Sequence, residues 1–395
     1  MLGAFVVAFA VQILGYSNEQ ISWFLSLIPL VVLLRYPFLD KIRQFPRVRV
    51  LLWSRYIQLS CLIVLTILPL EWITVPLLLA LAAWFVFGNE FLQNAVWMNF
   101  IAEVSSSQDR GRFLGRLRTW KQGTNMSFAI IGFFLVGSHL SRGEHQILLF
   151  IVMALLLNSI IWYSKLPINA PAETLTNFSG KGQFWYIIQN SPMMRRPMVL
   201  TFLNAVLSWP VLIIYVVGSL HLPANLLMLT VVAQMLGSII SEYGWGVLSD
   251  RFGIKLTYKV YFAGTLLLCP LLFLLPDFGH IDNGSTEWWI GTTILLSFYL
   301  LKGVLDAGHL MASSIYRAWY VDQAGGFHAI NILTAANQFF TAMLTGIGGY
   351  LLVSLEGAQS DWIGGIPIDN FRVVTIAIMV LGCVTGLWIS QGIRK

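Results

Sequence analysis

Charge, cysteine and nucleotide-binding motifs are all scarce in this 395-residue sequence. Charged residues make up 11% of the chain, whereas soluble domains carry about 25%. The cysteines Cys61, Cys269 and Cys383 stand alone in apolar runs, so neither a disulfide framework nor a cysteine-based metal centre is expected. The P-loop pattern is missing too, and we therefore expect no cofactor and no direct use of ATP by this chain.

Hydrophobic residues dominate what is present. They make up 57% of the chain, and the mean hydropathy is +0.74. The 15 Trp and 26 Phe are typical of a lipid-facing surface with aromatic side chains at the membrane–water interfaces. This composition predicts an integral membrane protein whose largest partner is the lipid bilayer.

Twelve apolar runs have about the length that a membrane-crossing helix needs. They lie near residues 1–16, 21–38, 50–70, 74–100, 124–140, 146–164, 197–220, 224–248, 257–275, 287–315, 328–354 and 371–391. They are too long for barrel strands, so we predict an all-α fold with twelve transmembrane helices. The first helix is short, because sixteen residues from Met1 span about 24 Å of a roughly 30 Å hydrocarbon core. We therefore expect a missing segment ahead of Met1.

Basic residues alternate between the two sides of the predicted membrane. They cluster at 41–49, 110–121, 165–196, 251–255 and 394–395, after the even-numbered runs. The alternate connections are mainly acidic, with Arg142 and Arg372 as exceptions. The positive-inside rule places both termini in the cytoplasm. Topology accounts for the net charge of +6, so no nucleic-acid partner is predicted.

The chain divides into two halves at its longest predicted cytoplasmic connection. We predict an N-terminal six-helix bundle over 1–164, a central linker over 165–196 and a C-terminal six-helix bundle over 197–395. Asp40 and Asp250 occupy matching positions after the second and eighth runs, each followed by a basic residue. Repeated halves with a binding site at their interface are a recurrent plan of secondary transporters.

Two segments resemble motifs of the major facilitator superfamily. "GWGVLSDRFGIK", residues 244–255, resembles the signature loop of that family, and "DRGRFLGRLR", residues 109–118, resembles a loop of many bacterial members. The first-half copy of the signature loop departs from the pattern, since Tyr36 and Arg43 replace its glycines. The resemblance implies a monomeric transporter in a bacterial cytoplasmic membrane.

The same resemblance implies gating roles for residues in these two segments. The candidates are Gly246, Asp250, Arg251, Gly253, Asp109, Arg110 and Arg112. Glycines there would permit close helix approach and a tight turn, and the charges would make and break contacts as the cavity opens. The alternative is that these charges only set topology and cap helices.

The candidate substrate and ion site combines polar residues of runs that line the central cavity in the resembled fold. It comprises Lys302, Asp306, Glu90, Asn94 and Asn204. Charges inside a membrane are costly and usually face water or each other. Lys302 and Asp306 are four residues apart on one helix and can pair. Lys302 would attract an anionic or polar group, and Glu90 or Asp306 would carry a coupling proton. The alternative is a static structural pair.

We therefore predict a secondary transporter, not an enzyme, that moves a small solute by alternating access and is coupled to an ion gradient such as that of protons. Two rival functions remain open. One is a membrane-embedded enzyme, for which only the acidic residues Asp277, Asp282 and Glu287 on the predicted outer side are candidates. The other is a non-transporting relative of transporters that acts as a sensor or assembly partner.

Overall fold

The structure is a computed structural model that describes most of the chain after residue 43. The described residues are 15–17, 20–21, 25–26, 30, 38, 41–42, 44–68, 72, 74–97, 100, 110–135, 142–166, 192–208, 212–282, 284–321, 326–355, 359–363 and 366–392. The first two predicted helices and most of the predicted linker therefore lie outside the described residues.

The described residues form ten α-helices, several shorter helical turns and one two-stranded hairpin. The helices of the first half are α1 (Arg47–Ile67), α2 (Val75–Val86, followed by a π-helix over Phe87–Gln93), α3 (Arg110–Leu135) and α4 (Arg142–Ser164). Those of the second half are α5 (Pro192–Ser208), α6 (Leu212–Ile214, followed by a π-helix over Tyr215–Ser219), α7 (Ala224–Leu268), α8 (Thr286–Val321), α9 (Gly326–Leu355) and α10 (Asn370–Ser390). Short 3-10 helices span Cys269–Leu274 and Phe278–His280, and strands β1 (Gln359–Ile363) and β2 (Ile366–Asp369) precede α10.

Eight stretches of the described chain are long and apolar enough to cross a membrane. They are Arg47–Ile67, Pro76–Trp97, Gly143–Ser164, Asn225–Ser249, Arg251–Leu274, Thr286–Tyr316, Ile330–Leu355 and Asn370–Ser390. These positions match eight of the predicted runs, which confirms an apolar helical membrane protein. Helices α3 and α5 occupy the places of the predicted fifth and seventh runs but are more polar or shorter.

Two predicted loops are helical instead. Helix α3 begins at Arg110, fourteen residues before the predicted start at 124, so "DRGRFLGRLR" is largely helix. Its Arg, Leu, Lys and Gln residues favour helix regardless of hydropathy. The "GWGVLSDRFGIK" segment is also helical, and its turn is reduced to one residue, Gly253, at φ 80° and ψ 166°. A residue without Cβ is needed there because this region of backbone space is essentially restricted to glycine.

The hairpin was not predicted by the all-α assignment. Strands β1 and β2 pair antiparallel, with Gln359 opposite Asp369 and Ser360 opposite Ile368. Isoleucines in both strands favour extended backbone. The segment was predicted only as an acidic connection, because it is too short and polar to cross a membrane.

The tightest helix packing joins α7 to α8. A Cβ on Gly237 would lie 2.0 Å from the carbonyl oxygen of Leu300, and one on Gly303 would lie 2.0 Å from that of Gln234. The Ser238 hydroxyl donates to the Gly303 carbonyl at 3.0 Å. Small residues such as glycine allow this close backbone approach between membrane helices, and serine hydroxyls add hydrogen bonds across it. The structure therefore places the close approach at Gly237 and Gly303, whereas a Cβ on Gly246 would meet only a methionine methyl at 4.0 Å.

Candidate functional site

Lys302 and Asp306 form the predicted ion pair on α8. The Lys302 Nζ lies 2.9 Å from Asp306 Oδ1 and 2.8 Å from Oδ2. Both side chains are largely buried, with 15% and 23% of their surface exposed. The Gln234 amide on α7 donates to Asp306 Oδ2 at 3.0 Å. The ion pair therefore joins neighbouring turns of α8, and the bond from Gln234 joins α8 to α7.

A small cavity lies beside this pair, between helices of the second half. The volume of the cavity that the centre of a water molecule can occupy is about 10 Å³. This volume is near the minimum for holding one water. Its lining comes from α5, α7, α8 and α10: Leu207, Tyr261, Thr265, Leu268, Phe298, Lys302, Leu305, Asp306 and Met379. In this conformation the cavity has room for about one water molecule.

Asn204 reaches the same cavity through a tyrosine. The Tyr261 hydroxyl donates to Asn204 Oδ1 at 3.4 Å, and Tyr261 itself lines the cavity. The Tyr261 ring also lies 4.9 Å from the His309 ring. The sequence offers Gln234 as a polar residue that lines the cavity edge or bonds helices together, and its bond to Asp306 does join two helices. Sequence reasoning missed Tyr261, since nothing local to that residue indicates that it faces the cavity.

The structure places the first-half site residues only in part. Glu90 belongs to the π-helix Phe87–Gln93, and its side chain lies outside the described residues. The Asn94 backbone N–H donates to the Asn89 carbonyl where the π-helix ends. Asn94 is not among the described residues that line the Lys302 cavity. Turns of π-helix within α-helices often occur at functional sites. The assignment of Glu90 and Asn94 to one site with Lys302 stays a prediction.

The predicted gating residues have mixed outcomes. Gly253 forms the predicted tight turn, with positive φ. Arg251 is exposed beside it. Asp109 and the side chains of Asp250, Arg110 and Arg112 lie outside the described residues. Their gating roles stay predictions.

Polar contacts between the two halves occur elsewhere, at α3. The Arg118 guanidinium donates to the Leu310 carbonyl at 3.3 Å and to the Ser314 hydroxyl, both on α8. The Thr119 hydroxyl donates to Glu242 Oε2 on α7 at 3.3 Å. Glu242 is buried, with 7% of its surface exposed. The predicted orientation places these contacts on the cytoplasmic side.

Helix α3 continues along α7 toward the other side of the membrane. Phe128 and Met228 belong to one buried cluster, and a Cβ on Gly132 would lie 3.4 Å from the Met228 sulfur. Thr119, near the start of α3, therefore meets Glu242, whereas Gly132, near its end, meets Met228, which comes earlier in α7. The two helices run antiparallel across the boundary between the halves.

Arg372, an exception to the charge alternation, is a buried helix clamp. It is 4% exposed, and its Nε donates to the Tyr215 hydroxyl at 2.5 Å. Its Nη1 donates to the carbonyls of Phe273, at 3.3 Å, and Leu275. Those carbonyls end the 3-10 helix, where a cation is electrostatically favoured. The charge at 372 thus serves packing rather than topology.

The acidic residues considered for a membrane enzyme do not assemble into a metal centre. Asp277 pairs with His221 at 3.2 Å and accepts the Gly279 N–H at 2.9 Å. Among the residues the structure describes, no group of three or more His, Cys, Asp and Glu is arranged to hold a metal ion. The observed pair fastens the connection before α7 to the one before α8.

Comparison with known proteins identifies a shared fold. No protein-family model matches the sequence, and no curated protein matches it significantly. A solved structure of an aspartate-to-alanine mutant of the nucleoside transporter NupG aligns over 98% of this chain and 95% of that chain, with a TM-score of 0.69 and 13% identity. A second NupG structure aligns over 100% and 96%, with a TM-score of 0.64 and 12% identity. Both are structures of a transporter and not of an enzyme, and at these identities the likeness concerns the fold: this chain has the fold of the nucleoside transporter NupG over nearly its whole length.

Proposed function

We propose that the protein is a secondary transporter of the major facilitator type that moves a small polar solute across a bacterial cytoplasmic membrane. The observation that carries the proposal is the shared fold with a transporter over 98% of this chain. The motifs at residues 109–118 and 244–255 point to the same family. Nucleosides are the first substrate class to test, since NupG transports them.

Alternating access requires the two halves to separate on one side at a time. The bonds from Arg118 and Thr119 to α7 and α8 are suited to this change. A hydrogen bond contributes about 0.5–1.5 kcal/mol net, or about 1.5–3 kcal/mol with a charged partner, because water replaces it when it breaks. Such contacts hold a closed state without making it irreversible.

Asp306 is the residue we assign to the coupling proton. Its carboxylate accepts from Lys302 and Gln234, which lie on different helices. Protonation would remove the charge that holds Lys302 and would weaken the link between α7 and α8. Asp306 also lines the small cavity, where a water molecule could deliver the proton to its carboxylate. Lys302 would then be free to bind an anionic or polar group of the solute.

Proteoliposomes test this function directly. Purified protein would be assayed for uptake of radiolabelled nucleosides driven by a proton gradient, and for exchange of the same nucleosides without a gradient. We expect Asp306→Asn to lose gradient-driven accumulation and to keep exchange. Asp282→Asn, which alters an exposed carboxylate, serves as the matched control.

Each outcome has a distinct meaning. Equal loss of exchange and accumulation in Asp306→Asn would make Asp306 a structural or substrate-binding residue rather than a proton carrier. Exchange of another small solute, such as an amino acid or sugar, would keep the transporter and change its substrate. Absence of uptake and of binding for every solute class would favour the non-transporting sensor.

A further inference from the structure

Three cations stack on aromatic rings around one corner of the first half. The Lys165 ammonium lies 4.8 Å from the Trp162 ring centroid. The Arg55 guanidinium lies 5.8 Å from the Tyr163 ring, and the Lys41 ammonium lies 6.0 Å from the Phe38 ring. We call this set, together with Arg49, the basic corner. All three distances are within the range of cation–π attraction.

One apolar cluster holds the basic corner together. Ile42, Val48 and Phe91 are buried in that cluster, and Tyr163 and Leu166 pack against it. Lys41 adjoins Ile42, and Lys165 lies between Tyr163 and Leu166. Arg49 lies between the buried Val48 and Val50 of the same cluster. Lys41 ahead of α1, Arg49 and Arg55 within α1, and Lys165 just after α4 therefore lie around one packed core.

The segment that carries Lys41, Arg49 and Arg55 is basic, and Asp40 directly precedes it. Residues 41–68 contain no Asp or Glu. The first turn of α1 has no acidic residue, and no side chain caps it. Arg55 donates from Nη1 to Gln58 at 2.8 Å, but its buried Nε–H meets no acceptor among the described residues. A buried guanidinium N–H without an acceptor favours an anionic ligand, since leaving it unpaired is costly.

The corner also has the character of a membrane interface. Phe38 is 47% exposed and Trp162, near the end of α4, is 62% exposed, and a lysine ammonium lies over each ring. Aromatic residues concentrate at this depth of the bilayer. Basic pockets between transmembrane helices on the cytoplasmic side bind anionic lipid headgroups. The exposed rings beside the cations offer apolar contacts as well as charge. An anion with apolar chains, such as a phospholipid, can use both.

We propose that the basic corner binds the phosphate headgroup of an anionic phospholipid, with Lys41, Arg49, Arg55 and Lys165 around the phosphate. The aromatic rings of Phe38 and Trp162 would lie against its glycerol and upper acyl chains. The cations contribute charge attraction, and the Arg55 Nε–H contributes a directed donor. This site is independent of the transport function proposed above.

The test measures thermal unfolding of the purified chain in neutral detergent with added lipid. A ligand that binds only the folded state raises the unfolding temperature. We expect phosphatidylglycerol to raise it, and phosphatidylcholine or inorganic phosphate at equal concentration to leave it unchanged. The triple variant Lys41→Gln, Arg49→Gln, Lys165→Gln should lose at least half of the phosphatidylglycerol shift.

A second triple variant is the matched control. Arg116→Gln, Lys121→Gln, Lys255→Gln removes the same charge from the predicted cytoplasmic side, outside the corner. We expect it to keep the full shift, and Lys41→Arg, Arg49→Lys, Lys165→Arg to keep it as well.

An equal loss in both Gln triples would mean general attraction to the bilayer and would overturn the site, as would an undiminished shift in the corner triple. An equal shift with inorganic phosphate would overturn the lipid as occupant. If the corner triple does not fold, the single variant Arg55→Gln is used instead, and the phosphatidylglycerol molecules that stay bound are counted by native mass spectrometry. Fewer bound lipids than on the native chain would support the site, and an equal number would overturn it.

Discussion

At the scale of single residues, Asp306 is a largely buried carboxylate that is bonded from two helices. Its carboxylate accepts from a lysine on its own helix and from Gln234 on a neighbouring one. Breaking a buried pair by removing one partner leaves a charge without compensation, whereas removing both partners can be nearly neutral. If the two side chains compensate each other, each single variant is therefore less stable than the double variant. If they act independently, the two losses add.

We predict that Lys302→Met and Asp306→Leu each lower the unfolding temperature more than the double variant does. Breaking a fully buried pair costs about 3–5 kcal/mol, and the partial exposure of both side chains makes that range an upper bound here. Thermal unfolding of the four proteins in one detergent checks the order. Additive losses in the double variant would contradict mutual compensation.

Arg372 leads to a second prediction at this scale. Arg372→Met should destabilise the protein by about 1.5–3 kcal/mol for each charged hydrogen bond lost, partly offset because the buried charge is removed as well. Tyr215→Phe removes only the hydroxyl acceptor for Nε and should cost less. Both would be compared by thermal unfolding. If Arg372→Met were as stable as the native chain, the clamp would contribute nothing.

At the scale of elements, Gly253 forms the kink of α7, near the start of the second of its two apolar stretches. A Cβ there would meet no atom within 4 Å, so only the backbone conformation requires glycine. We predict that Gly253→Ala costs about 1–3 kcal/mol of strain. Gly244→Ala is the matched control, since Gly244 lies in regular helix with equal open space. That control should be neutral or gain about 0.5–1 kcal/mol. Equal unfolding temperatures for the two variants would mean that the turn tolerates a side chain.

Packing of α7 on α8 gives the opposite kind of glycine prediction. Gly303 has helical backbone, but its Cβ would lie 2.0 Å from a carbonyl oxygen of α7. Gly303→Ala must push the helices apart, which breaks the Ser238 bond at the same seam. We expect a loss of folded protein on size-exclusion chromatography. Gly246→Ala, where the added methyl makes only an ordinary contact, should fold normally.

These elements show what could be predicted from sequence. The apolar runs behind α1, α4 and α10 were predictable, because crossing a bilayer requires about 20 apolar residues. The Lys302–Asp306 pair was predictable because it is local to one helix. The start of α3 at Arg110 was not, since hydropathy detects the bilayer-crossing part of a helix and not its polar extension. Tyr261 was not predictable either, because its contacts depend on how distant helices pack.

At the scale of the whole molecule, the antiparallel pairing of α3 with α7 joins the two predicted halves of the chain. Thr119 meets Glu242 at one end, and Gly132 meets Met228 at the other. If the halves rock about a midplane site, each end must separate in part of the cycle. A covalent bond at either end should therefore stop transport.

We predict that a thiol-to-thiol cross-linker with a reducible disulfide in its spacer, applied to Thr119→Cys, Glu242→Cys, blocks solute exchange in proteoliposomes and that a thiol reductant restores it. The native cysteines are 4% exposed or less, which keeps competing cross-links low. Ser60→Cys, Trp84→Cys is the matched control, since those two positions, whose native side chains meet at 3.2 Å, both lie within the first half. Its cross-link joins helices that move together and should leave exchange intact. If the cross-linked Thr119–Glu242 variant exchanged solute at the native rate, α3 and α7 would not separate during transport, and the moving boundary would have to lie elsewhere.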